Sequence, residues 1–286
     1  PQPPTNLTGI ADSTESIMWS WSDNSGNETG FVIHNDAHLQ VGSVGAGVTQ
    51  WQEPLLAENT SYSRHVHAVI GSSASDPSNT AARYTLVHEP TVEDFTATAL
   101  NSWQIRIDIV APPNGTSGET GAKIERSPDE PAWETIRDFD AAYTMTDSPL
   151  ADQTNFHYRI LFRNGDGIAT ALSPIRSAST FAVPVPAIVT GAKKTNDTTP
   201  LIEGTGENGF TVNLYEGTSL LGTTAAVGGA WSLSSATLSE AAHDLFATAV
   251  DPGLNESSPS NGVNIVIDLT PPAAPQELTA SRTPVI

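Results

Sequence analysis

The chain of 286 residues contains no cysteine. That absence excludes thiol catalysis, thiolate zinc sites and iron–sulfur clusters, and it leaves each folded unit to hold together by core packing alone. Basic residues are also scarce: 12 Lys and Arg stand against 32 Asp and Glu, a formal net charge of −20. Without a basic stripe to release counterions, nucleic acid and anionic membrane surfaces are not expected partners. No apolar run approaches the ~18 residues of a membrane-crossing helix, so membrane insertion is not expected either. The G-x-S-x-G nucleophile turn, the H-E-x-x-H metal pair and a phosphate-cradling Gly-rich loop are all missing. Enzyme chemistry is therefore not the expectation. The acidic surplus runs along the whole chain, which suits a soluble polypeptide in a salty or calcium-containing medium.

What is present is turn chemistry and two-residue alternation. The chain carries 22 Gly and 21 Pro, a composition for short strands joined by frequent turns. Ile17, Trp19 and Trp21 fall on one face of their segment, as do Trp103, Ile105, Ile107 and Ile109, and again Val263, Ile265 and Ile267. Polar residues mostly occupy the intervening positions, the pattern of a half-buried antiparallel strand. No segment of ten or more residues shows a convincing 3.6 period. The expected fold class is all-β.

A phrase occurs twice. Pro1, Pro4, Leu7 and Thr8 form P-x-x-P-x-x-L-T, and Pro272, Pro275, Leu278 and Thr279 repeat it. Recurrence at domain scale marks an array of modules. The expectation is a segment of a longer string, with residues 273–286 as the opening strand of a further, truncated module.

Within residues 1–88 the opening phrase is followed by a strand ending at Trp21 and a turn over 23–30. Leu56-x5-Tyr62 comes next, with Arg64, Val66 and Ala68 after it. This order resembles a fibronectin type III domain, and the resemblance implies a tyrosine corner at Tyr62 on the strand facing Phe31 and Ile33. Residues 89–183 are similar to the same family, with Leu150-x5-Phe156 at the corner and Asn164-Gly165-Asp166-Gly167 as a late turn; Phe156 brings no hydroxyl to that corner. Residues 184–272 resemble the Ig-like repeats of large bacterial surface adhesins. The resemblance rests on the run over 196–206, Val212-x-Leu214-Tyr215, Gly229-x-Trp231-Ser232, His243 and Ala249-Val250-Asp251. Together they imply tandem antiparallel β-sandwiches arranged as an extended rod, with short, mostly proline-rich linkers. Trp21, Tyr62, Phe156 and Trp231 should be largely buried.

Two cation sites are candidates. If Val66 and Ala68 face the core, His65 and His67 point outward, and if Phe31 and Ile33 face it, so does His34. The fibronectin-type resemblance implies that the two strands are neighbours, which would make a set suited to zinc or copper; a solvated His-rich face is the plainer alternative. Asp197, Asp251 and Asp268 lie near the ends of the third module, where the adhesin resemblance implies calcium. That ion needs 6–8 oxygens, and ordinary turn capping by Asp explains the same residues. Among the aromatics only Trp133 is a candidate for exposure to a sugar.

The functional expectation is a non-catalytic spacer or adhesive segment of a large secreted or cell-surface protein. Its partners would be neighbouring modules of the same polypeptide and a cell-surface glycan or protein. Carbohydrate-binding or linker modules of a secreted polysaccharide-degrading enzyme form one alternative, and a subunit of an extracellular filament or sheath forms another.

Overall fold

In the computed structural model, which describes residues 1–274, all regular secondary structure is β-strand, and no helix occurs among the described residues. The chain is an all-β protein built of sandwiches. Past residue 274 the opening strand expected within 273–286 lies outside the described residues. By contact the chain divides into a unit over residues 1–181 and a second from Ala182 onward.

The first sandwich uses β1 (Thr5–Ala11), β2 (Ile17–Ser22), β3 (Gly30–His34), β4 (Gln40–Gly45), β5 (Gln50–Glu53), β6 (Ser61–Ile70), β7 (Ser73–Ala74) and β8 (Ala81–Tyr84). One sheet runs β1-β2-β5; the other runs β4-β3-β6-β7, with β8 also paired to β6. Alternation does the work: Ile17, Trp19 and Trp21 from β2 meet Phe31 and Ile33 from β3 and Val66 and Ala68 from β6 in one core. Burying each such side chain fully contributes about 1.5–3 kcal/mol.

The second sandwich repeats the plan with β9 (Phe95–Ala99), β10 (Ile105–Ile109), β11 (Gly121–Ser127), β12 (Glu134–Asp140), β13 (Thr144–Asp147), β14 (Asn155–Arg163) and β15 (Arg176–Ser179). Its sheets are β13-β10-β9 and β12-β11-β14-β15. Ile105, Ile107, Phe156, Tyr158, Ile160 and Phe162 make a separate core, and Val87 packs into it from the connecting segment. Trp103 sits just ahead of β10 and is only half-buried, so the alternating run begins at Ile105.

These two cores share one compact unit because a polar seam joins them. Asn59, at the corner before β6, is fully buried. Its side-chain amide donates to the carbonyl of Pro113 at 2.7 Å and to Thr120 Oγ1 at 3.1 Å. Its Oδ1 accepts from the Gly165 amide at 3.0 Å. Asn114 Nδ2 returns a bond to the Asn59 carbonyl at 3.0 Å, and Asn164 Nδ2 donates to the Thr85 carbonyl at 3.1 Å. The Tyr84 amide donates to Asp166 Oδ2 at 2.8 Å. Gly165 is required at this point, since any Cβ would run into the Tyr84 ring. The turn over 164–167, which reads in the sequence as a plain strand connection, thus grips the preceding sandwich. The connection at 87–90 adds to the joint: His88 Nδ1 lies 2.5 Å from Glu58 Oε1 and its Nε2 lies 3.5 Å from Asp94 Oδ1.

The second unit contains β16 (Ala187–Ile188), β17 (Lys193–Thr195), β18 (Leu201–Thr205), β19 (Thr211–Glu216), β20 (Ser219–Ala225), β21 (Ala230–Ser234), β22 (Ala242–Val250) and β23 (Val263–Ile267). One sheet runs β16-β18-β21, the other β17-β23-β22-β19-β20, with β17 parallel to β23. Ile202, Val212, Leu214, Trp231, Leu245 and Ile265 lie at its centre.

Trp21, Phe156 and Trp231 are 6, 5 and 4% exposed. Tyr62 departs from its expected burial and is only half-buried. Its ring packs against the first core while its hydroxyl reaches the surface and accepts from the Ala57 amide at 2.8 Å. Water can replace part of that bond. Tyr62→Phe is therefore expected to destabilise the first unit by about 0.5–1.5 kcal/mol, the net worth of one hydrogen bond. Urea unfolding of the wild type and variant measures this, and equal midpoints would make the residue simple ring filler.

Candidate functional site

The densest group of chemistry-bearing side chains lies on the outer face of the β3–β6 pair. Antiparallel register sets His34 opposite His65 and Val32 opposite His67. Residues i and i+2 share a face of a strand, so His65 and His67 both project beside His34. Ring centroids are 5.6 Å apart for His34–His65, 5.2 Å for His34–His67 and 5.3 Å for His65–His67. One ligand nitrogen from each lies within 4.8 Å of the others. The structure therefore brings the three sequence candidates together. It also adds His38 from the β3–β4 loop, whose ring centroid is 5.1 Å from that of His65. A reading of strand alternation alone had no means of placing that loop residue.

Outward direction did not leave His65 in water. It is 5% exposed, because the surrounding imidazoles cover it. His65 Nε2 and His34 Nδ1 are buried without a hydrogen-bond partner. Burial and the neighbouring His67 and His38 lower the pKa of His34, and the same causes, with His34, lower that of His65 against a weaker opposing pull from Asp36. Both effects favour the neutral imidazole. His67 Nδ1 lies 2.8 Å from the Ser75 carbonyl, so it carries the proton and leaves Nε2 with a free lone pair.

A second polar feature is structural and went unread in the sequence. Glu53 and Arg64 are both 6% exposed, on opposite sheets. Arg64 Nε donates to Glu53 Oε2 at 2.9 Å, and Arg64 Nη2 pairs with Oε1. Trp19 Nε1 donates to the same carboxylate at 2.9 Å. The second sandwich repeats the device: Asp147 accepts from Tyr158 at 2.9 Å and from Arg126 at 2.7 Å. Each acid stands three residues before the Leu of the L-x5-Tyr/Phe corner, and each principal strand donor stands two residues after it. That shared offset was the available signal.

The calcium candidates do not converge. Asp197 is exposed, and its Oδ1 accepts from both the amide and hydroxyl of Thr199. Asp251 is buried and bound by the Asn255 amide at 2.9 Å and by its side chain at 3.1 Å. Asp268 pairs with Lys194, whose ammonium holds the carboxyl below its usual range with help from the Thr270 amide. Among the described residues, the histidine triad is the group of three or more His, Asp or Glu whose ligand atoms come together.

His243 in the second unit is 5% exposed and fully engaged. Its Nε2 lies 3.0 Å from the Ser239 carbonyl and its Nδ1 2.8 Å from Glu216 Oε1. Two acceptors require both ring protons, so the Ser239 carbonyl and then Glu216 raise its pKa against the opposing effect of burial. A raised folded-state pKa contributes stability that is complete below the unfolded value near 6.5 and is lost as pH rises through the folded value. The stability gap between wild type and His243→Gln should therefore narrow from pH 6 to pH 8.5. Calorimetry at a series of pH values measures that gap, and a gap independent of pH would count against a charged His243.

Two other features bear on rival functions. Ser177 Oγ and His157 Nδ1 are 2.8 Å apart, but Glu130 approaches the same nitrogen at 3.7 Å. A nucleophile and its orienting carboxylate must use opposite ring nitrogens, so this pair on an open strand face is no relay. Trp133 is half-buried, and the Arg159 guanidinium lies 4.1 Å from its ring centroid. That guanidinium covers one face on which a sugar would stack.

Comparison with known proteins places one part of the chain. Residues 187–269 match the family model of the bacterial Ig-like domain. No curated protein matches the sequence. Among solved structures, the crystal structure of the chicken CNTN1 FN1-FN3 domains aligns over 93% of this chain and 98% of that one, with 11% identity and a TM-score of 0.33. A likeness that low carries no argument about role.

Proposed function

We propose that this chain is a non-catalytic spacer and adhesive segment of a large secreted or cell-surface protein, working outside the cell. The observation that carries the reading is the seam at Asn59: each sandwich closes on its own core, yet the first two are locked side chain to backbone. A joint of that kind resists bending and transmits load, which a spacer needs. The match of residues 187–269 to bacterial Ig-like domains, which often occur in surface proteins, supports the same setting. So does the acidic surface, which keeps like modules apart. Its partners are the neighbouring modules of its own polypeptide, with a cell-surface glycan or protein as the adhesive target.

The test is mechanical. Pulled between its two ends, the chain should unfold in discrete force peaks, one releasing about 300 Å of contour for the ~90-residue second unit and one about 600 Å for the ~180 residues of the coupled first unit, at ~3.5 Å per residue. Unfolding without force peaks would sink the spacer reading. Strong saturable binding of a soluble polysaccharide would favour the carbohydrate-binding alternative instead.

A further inference from the structure

The histidine face of the first sandwich offers what a metal site needs and what a merely solvated face lacks. A solvated imidazole satisfies its nitrogens with water, whereas His65 Nε2 and His34 Nδ1 are both buried and unpartnered. Burying a polar nitrogen with no partner costs free energy, and a cluster of several invites a missing occupant. The third imidazole is oriented from behind: His67 Nδ1–H donates to the Ser75 carbonyl, as metal-ligating histidines do toward carbonyls behind them. Ser75 is itself fixed, because its amide donates to the Ala68 carbonyl at 2.9 Å and its hydroxyl accepts from the Ala68 amide at 3.0 Å.

We infer that His34, His65 and His67 form a binding site for one divalent first-row transition-metal ion, zinc or copper, with His38 as the fourth ligand. Neutral imidazole is the common ligand of both ions. Ligand nitrogens about 3.3 Å apart surround a tetrahedral ion at ~2.0–2.1 Å, and side-chain rotation closes the present spacing of up to 4.8 Å. His38 is set to join them. It occupies a left-handed position with φ 56° in the loop, where Asn35 Oδ1 holds the Ala37 and Leu39 amides, each at 3.0 Å. Asp36 and the acidic field of the chain favour a cation at this face. A bound ion would tie β3 to β6 and pin the β3–β4 loop over both. This inference does not rest on the spacer reading.

The experiment uses the untagged 286-residue chain, stripped with a chelator and titrated with ZnCl2 at pH 7.5 by calorimetry. One ion per chain should bind with a submicromolar Kd and raise the Tm of the first unit by several degrees. Proton–nitrogen spectra of the imidazoles should shift for His34, His65 and His67 together. His67→Gln, a half-buried position that leaves His65 covered, should weaken zinc at least 100-fold, with the fold checked by circular dichroism. His38→Gln should weaken it about 10-fold. Absence of saturable one-to-one binding by the wild type would overturn the site, as would equal affinity in His67→Gln. Unchanged affinity in His38→Gln would overturn the fourth ligand.

Discussion

Glu53→Ala should destabilise the first unit by about 3–5 kcal/mol, the range for removing one partner of a buried ion pair. Arg64 would stay buried with its charge unanswered, since its side chain is only 7% exposed. Trp19 Nε1 would lose its acceptor at the same time. The size of the effect comes from leaving charge unpaired, so removing both charges should behave differently. Glu53→Leu combined with Arg64→Met fills similar volume with apolar atoms and should recover most of the loss, less the contribution of the orphaned indole. Urea unfolding of Glu53→Leu, Arg64→Met and the double completes the cycle. A single-mutant loss below 1 kcal/mol would mean that water reaches the pair.

Asn59→Ala should have an effect of similar size. It removes the amide bonds to Pro113 and Thr120 and the acceptor for Gly165, and it places alanine at φ 44°. The buried groups left behind account for roughly 2–4 kcal/mol at about 1–3 kcal/mol each, reduced by relaxation. The left-handed backbone adds about 1 kcal/mol. Asn59→Gly separates the two, since glycine accepts that backbone but not the bonds. Both variants should split a single calorimetric transition of residues 1–181 into two, because the seam couples the sandwiches. If the transition stays single in both, coupling runs through the connecting segment instead.

The sheets were legible because alternation is a local signal. Ile105, Ile107 and Ile109 are 0, 0 and 8% exposed, and Val263, Ile265 and Ile267 are 7, 0 and 1%. His34, His65 and His67 were legible as outward-facing from that alternation, and as neighbours only through the fibronectin-type resemblance, which implied that their two strands pair. The burial of His65 was not, since it comes from residues across the sheet and from a loop. Arg64 shows the limit more sharply. It stands between Tyr62 and Val66 on the inward face, yet its partner Glu53 sits on the other sheet, and only the offset of both from the corner, shared with the second sandwich, links them in the sequence. The seam was hidden for the same reason: its residues read as ordinary turn formers, and a turn's sequence does not say what it touches.

The buried amide of Asn59 also bears on where this chain can be made. Asn59-Thr60-Ser61 and Asn114-Gly115-Thr116 are both acceptor sequences for N-linked oligosaccharide, which a eukaryotic secretory pathway attaches as the polypeptide emerges. Asn59 is wholly enclosed and its nitrogen already serves the Pro113 carbonyl. Asn114 spans the same seam through its own amide. An oligosaccharide on the enclosed Asn59 nitrogen would wedge the two sandwiches apart before they met. Material from such a host would then keep its two separate cores and lose the joint between them, whereas a bacterial cytoplasm would deliver it closed.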